Sequence, residues 1–179
     1  PLNWEGFDGA QTGMGLNVGA VFDGRYLYFP PGYEGSADYA AIKEDKHSGQ
    51  VVRYDTYSDF KDRQSWQTFE SKTLSARTTN FDGGAFDGRH IYFVPLSNGC
   101  VLRYDTRADF AEPRSWQYFD IDHFKKGGWY VGAVFDGRFL YFIAYAHGTI
   151  VRYDTLGDFD APRNWRSRAV EGTAGLDTS

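Results

Sequence analysis

The sequence predicts an all-β fold, a β-propeller made of four-stranded antiparallel blades, and three observations predict it. One unit recurs three times along the 179 residues. Each copy carries the turn and strand signals of four short strands. Within each copy small residues mark the first strand and aromatic residues fill the second and third, the gradient that blades crowding around a central axis require.

The first strand reads Gly19-Ala20-Val21-Phe22, then Gly84-Ala85-Phe86, then Gly132-Ala133-Val134-Phe135. It ends each time at Asp-Gly (Asp23-Gly24, Asp87-Gly88, Asp136-Gly137), the dipeptide that best supports a two-residue hairpin turn. The second strand, Arg25-Tyr26-Leu27-Tyr28-Phe29 and its equivalents from Arg89 and Arg138, is apolar or aromatic on both faces, as a strand between two neighbouring sheets must be. The third holds Arg53-Tyr54-Asp55-Thr56, Arg103-Tyr104-Asp105-Thr106 and Arg152-Tyr153-Asp154-Thr155, spaced by 50 and then 49 residues. Thr-x-x-Asp follows (Thr56/Asp59, Thr106/Asp109, Thr155/Asp158) and predicts a capping box at the head of a short helical turn. The fourth strand starts at Trp66, Trp116 and Trp165.

These elements divide a single repeat domain into a first blade over 19–70, a second over 84–120, a third over 132–168 and a tail over 169–179. Residues 1–18 read as an orphan fourth strand and its link, because Asn3-Trp4-Glu5-Gly6-Phe7-Asp8 matches Ser115-Trp116-Gln117-Tyr118-Phe119-Asp120. The third blade departs from the pattern with Arg168 where the other copies have Phe69 and Phe119. Propellers need about four to eight blades, so three leave two open edges. The expectation is a homodimer that closes a six-bladed ring, with the N-terminal strand of one chain completing or flanking the third blade of the other. A piece of a longer array and a β-trefoil monomer, also three units of four strands, are the alternatives.

The Phe-Asp-Gly-Arg-x-x-Tyr-Phe element with its Arg-Tyr-Asp-Thr partner resembles the repeats of bacterial propeller proteins that have no assigned activity. The resemblance covers most of residues 1–168; it implies the propeller fold and is silent on function. The Gly-His and Trp-Asp pairs of WD40 blades are absent, and the Asp-box is poorly matched.

A net charge of −5 gives no general pull towards phosphates, so neither nucleic acid nor an anionic membrane is expected as a partner. No stretch approaches the roughly 20 apolar residues of a membrane span. The start lacks the basic and apolar regions of a signal peptide, and Pro1 without Met reads as a processed chain or a fragment. Cys100 is the single cysteine, which excludes an intrachain disulfide, leaves the compartment open and carries no activating pattern.

In a propeller the turns between strands one and two and between three and four share one face of the disc. Here those turns repeat closely, whereas the opposite face varies, which points to the variable face as the place where a specific partner binds. Its first-blade insertion over 32–47 offers Tyr33, Asp38, Tyr39 and His47. The link into the third blade offers His123, Trp129 and Tyr130, and the third hairpin offers Tyr145 and His147. Aromatic rings beside carboxylates suit a sugar or a protein surface. The function expected is therefore a non-catalytic module for carbohydrate or protein recognition, without cofactor or metal, since the histidines lack ligand spacing and no nucleotide or hydrolase motif is present. A glycosidase-like enzyme using Asp82, Asp120 or Asp122 is the alternative, and a purely structural repeat, its insertion acting as a buttress, is a further one. The acids and arginines that recur in every copy read instead as turn and ion-pair groups.

Overall fold

The computed structural model describes residues 4–12, 14–15, 17–32, 47–124, 129–145 and 147–170. Their strands form three separate sheets of four, each in the order of the chain. The first holds β1 (Val21–Phe22), β2 (Tyr26–Phe29), β3 (Gln50–Asp55) and β4 (Trp66–Glu70). The second holds β5 (Phe81–Phe86), β6 (His90–Pro95), β7 (Cys100–Asp105) and β8 (Trp116–Asp120). The third holds β9 (Tyr130–Phe135), β10 (Phe139–Ala144), β11 (Thr149–Asp154) and β12 (Trp165–Ala169). Every pairing within a sheet is antiparallel, and Val18, ahead of β1, forms an isolated parallel bridge with Asp82 of β5. These are propeller blades. The trefoil alternative falls because each unit completes its own meander and spends its aromatic rings on the neighbouring sheet.

The inner strands β1, β5 and β9 lie side by side. A side chain on Gly84 would sit 2.2 Å from the Tyr92 carbonyl and 2.8 Å from Val21 Cγ2, so this approach tolerates only glycine. Gly19 before β1, Gly83 within β5 and Gly132 within β9 share a positive φ (75°, 61°, 108°) and stand four residues before the Asp of each Asp-Gly turn.

The Asp-Gly turn has a second task. Asp87 Oδ1 accepts from the backbone N–H groups of Arg89 and His90 at 2.8 and 2.6 Å, and Oδ2 accepts the Tyr92 phenol at 2.7 Å. Asp23 and Asp136 repeat the arrangement with Tyr28 and Tyr141. Burial works against the Asp87 charge, yet the bonds from His90, Tyr92 and Arg89 outweigh it and hold the carboxyl below its ordinary value. The recurring arginines close the same face: Arg25, Arg89 and Arg138 pair with Asp55, Asp105 and Asp154 at 2.6, 2.6 and 2.8 Å.

The expected capping box does not form. The Thr56, Thr106 and Thr155 hydroxyls donate back to the carbonyls of Arg25, Arg89 and Arg138, which leaves Asp59 and Asp109 to accept from the N–H two residues on. The helical turns come later, as single 3-10 turns over Arg63–Ser65, Pro113–Ser115 and Pro162–Asn164 just ahead of each Trp.

Two contacts bind blade to blade. Phe69 stacks on Trp116 and Phe119 on Trp165, each at 4.4 Å and within 8° of parallel. Arg53 lies 4.4 Å over Phe110 and donates to the Tyr104 phenol, while Arg103 does the same with Phe159 and Tyr153. The stack is worth about 1 kcal/mol beyond the area it buries, and a guanidinium over a ring adds about 0.5–2 kcal/mol. At the open end of the first blade Phe7 stacks on Trp66 at 4.5 Å and 6°.

Asp87→Asn is expected to cost about 2 kcal/mol of unfolding free energy, because the Tyr92 phenol loses a charged acceptor inside the blade junction. Since the folded carboxyl titrates below its unfolded value of 3.8, this stabilisation is complete above that pH and is lost as pH falls through the lower folded value. Urea unfolding from pH 7 down to pH 2 checks both statements, and the variant should show a shallower acid slope than the parent.

Candidate functional site

The variable face is built by the connections between strands two and three and those that lead into the next blade. Between the first and second blades three of these segments are tied together. Ser48 N–H donates to the Gly32 carbonyl at 2.9 Å, the point at which the first-blade insertion leaves and returns. Ser71 N–H and hydroxyl both reach the Gly49 carbonyl, and Ser71 is fully buried. Arg77 then acts as a hub: its guanidinium donates to the Asn98 carbonyl, to Asp120 at 2.6 Å and to Asp122 at 3.0 Å. Hydrogen bonding to Asp120 raises the Arg77 pKa, and despite partial burial the same bond keeps the Asp120 carboxyl below its ordinary range.

Within this frame lies an open pocket of about 320 Å³ lined by His47, Arg77, Thr79, Asn80, Ser97 and Asn98 together with Ala76. Asn80 holds a left-handed backbone with φ 55°, tolerated by Asn because its short side chain bonds locally. Its amide nitrogen donates to the Ser97 hydroxyl, while Asn98 donates to the carbonyls of Thr79 and Asn80. The Asn80 Oδ1 is buried and meets no donor. Exchanging amide oxygen and nitrogen would only move the deficit to the other atom, so one polar atom of the Asn80 side chain is left without a partner either way. A buried acceptor left unpaired costs about 1–3 kcal/mol, and a ligand or water that donates to it recovers that cost.

A second feature sits at the third blade. Trp129 (47 % exposed) and Tyr145 (64 % exposed) lie nearly parallel, 6.2 Å apart at 16°. Their backbones are bonded, Tyr145 N–H to the Trp129 carbonyl at 2.8 Å. The His147 ring accepts from Thr149 N–H and places its other nitrogen 3.1 Å from the Trp129 carbonyl, which fixes the tautomer with the proton on Nε2. His147 therefore steadies the aromatic pair rather than presenting a free imidazole.

The sequence candidates are thus dispersed. His47 borders the pocket. His123 packs its exposed ring on Phe124 and against the edge of Phe119. Tyr130 is buried, offers no ring face to solvent, and keeps a phenol without a partner whose pKa burial pushes up to about 12. Tyr33, Asp38 and Tyr39 lie outside the described residues. Sequence reasoning missed Arg77, Thr79, Asn80, Ser97 and Asn98; the Asn98-Gly99 turn was the one local signal. Among the described residues no three of His, Cys, Asp and Glu stand together as a metal site.

No protein-family model matches the chain, and no curated protein sequence matches it. Solved structures do. A virginiamycin B lyase from Staphylococcus aureus aligns over 87 % of this chain and 41 % of its own length, with a TM-score of 0.55 at 12 % identity. The apo form of AztD from Citrobacter koseri aligns over 89 % of this chain and 48 % of its own, with a TM-score of 0.45 at 10 % identity. The chain spans less than half the length of either. At such identities the likeness to the lyase shows the fold and nothing finer.

Cys100 lines no part of the site. It is buried, its thiol bonds to the Arg77 carbonyl, and burial pushes its pKa up to about 12. Iodoacetamide at pH 8 should leave it unmodified in the folded protein and label it fully in urea, as intact mass will show.

Proposed function

We propose that this chain is a non-catalytic binding module that recognises a carbohydrate through the variable face of the propeller. The observation that carries the reading is the polar pocket bordered by Thr79, Asn80, Ser97 and Asn98, which brings hydrogen-bonding side chains from two connections to one open space. A sugar hydroxyl both donates and accepts, so one group bonds two of the polar side chains that line the pocket together. Trp129 and Tyr145 supply exposed rings on the same face, the surface on which the CH groups of a sugar pack. The first-blade insertion leaves at Gly32 and returns at Ser48, which are bonded to each other, and His47 beside Ser48 lines the pocket.

The competing glycosidase-like reading needs a pair of carboxylates free to act. Asp82 has one favourable property: burial raises its carboxyl, and it makes no ion pair among the described residues. Asp120 and Asp122 are both taken up by Arg77, which supports binding over catalysis.

A glycan array followed by titration calorimetry tests the proposal. Discrete sugar hits are expected. Trp129→Ala should weaken them about 3–10-fold, the loss of one ring contact, and Asn80→Gly, which keeps the left-handed backbone, should weaken them about tenfold. Binding of protein segments in place of any glycan, or glycan binding untouched by both substitutions, would overturn the reading.

A further inference from the structure

The third blade exposes the face that the other two bury. Val21, Tyr28, Val51 and Phe69 of the first blade pack on the second; Tyr92, Val94, Val101 and Phe119 of the second pack on the third. Their equivalents are Val134 (59 % exposed), Tyr141, Ile143 (40 % exposed), Ile150 and Arg168. Arg152 stands where Arg53 and Arg103 reach a phenol of the following blade, and among the described residues it covers Phe139 of its own sheet. Here the chain leaves a groove of about 400 Å³ lined by Tyr141, Ile150, Arg152, Arg166 and Arg168. One group of the junction set is missing from it, the fourth-strand phenylalanine.

The opposite end carries that group. Phe7 stacks on Trp66 at 4.5 Å and meets Phe60 edge-on at 6.0 Å, as Phe119 meets Trp165 and Phe159. Glu5 pairs with Lys61 at 3.8 Å in the place where Gln117 bonds Asp160. Residues 4–8 thus occupy the fourth-strand place of a blade that would precede the first, and Trp4, the equivalent of a buried Trp, is 89 % exposed.

We propose that the groove on the third blade is the docking seat for the first blade of a second copy of this chain, and that Phe7 supplies the ring that Arg168 lacks. Arg152 would donate to the Tyr54 phenol and cover Phe60, and Tyr141 would pack on both, continuing the junction already built twice within the chain. The charges agree: Arg152 of β11 lines the groove, and Glu5 and Asp8 lie on the incoming segment. Residues 4–8 and the partner's β12 are equivalent strands of one blade, so one must give way. In the ring β12 is the strand that yields: it pairs with β11 along its length, but every residue beyond Trp165 is exposed and buries no ring against a neighbour. Two such junctions related by a two-fold axis close a ring of six blades.

Sedimentation velocity of the 179-residue chain tests the proposal. The expected result is one species at twice 20.3 kDa that falls to 20.3 kDa with Arg152→Glu or with Val134→Glu, and that dissociates more readily with Phe7→Ala. Val134 is exposed in the single chain, so its substitution probes the junction without entering the core. Near-ultraviolet circular dichroism should stay native in the monomeric variants. A monomer across the whole concentration range, or a dimer that survives all three substitutions, overturns the proposal.

Discussion

The stack of a fourth-strand phenylalanine on the tryptophan of the next blade is the contact on which the rest of the structure depends. Each sheet buries little by itself, because both of its faces are aromatic and a lone sheet would leave both of them in water. Phe69 on Trp116 and Phe119 on Trp165 set neighbouring sheets at a repeating distance, and the buried tyrosines and covering arginines fill the space that this distance leaves. The tryptophans are held in turn by their own blades, since each indole N–H donates to the carbonyl of Phe60, Phe110 or Phe159. A blade is therefore both a finished sheet and an unfinished junction, the property that makes repeat arrays stable through their neighbours.

The repeat and its turns were legible in the sequence because they are local. Asp-Gly names a hairpin, Arg-Tyr-Asp-Thr names a strand and its exit, and Trp opens the last strand in every copy. The orphan strand was legible for the same reason: Trp4-Glu5-Gly6-Phe7 matches a fourth strand, and Phe7 takes the seat of one. What stayed hidden depends on distance along the chain. The aspartate of each Asp-Gly also accepts a phenol five residues on, and the threonine after each Arg-Tyr-Asp turns back to an arginine carbonyl on the preceding hairpin. A capping-box reading considers only the residues that follow the threonine, so it misassigned that hydroxyl.

The same division explains the candidate site. Aromatic and histidine residues stand out in a sequence, and they drew attention to His147 and Tyr130, whose work is to steady a backbone and fill a core. The pocket instead uses small polar residues from two connections, brought together by Arg77 and two carboxylates that lie 43 and 45 residues further on. Nothing in the local pattern marks Asn80; its left-handed backbone and unpartnered amide appear only once Ser97 and Asn98 close around it. The face is variable because no repeat-wide contact constrains it, and the uniform face opposite carries the load of turns and ion pairs.

A double-mutant cycle between Phe119 and Trp165 tests this account most directly. Phe119→Leu, Trp165→Leu and the double variant, unfolded in urea, should show a coupling energy of about 1 kcal/mol. Additivity within about 0.3 kcal/mol would mean that the two rings contribute independently, and that the stack between blades is not what holds the array together.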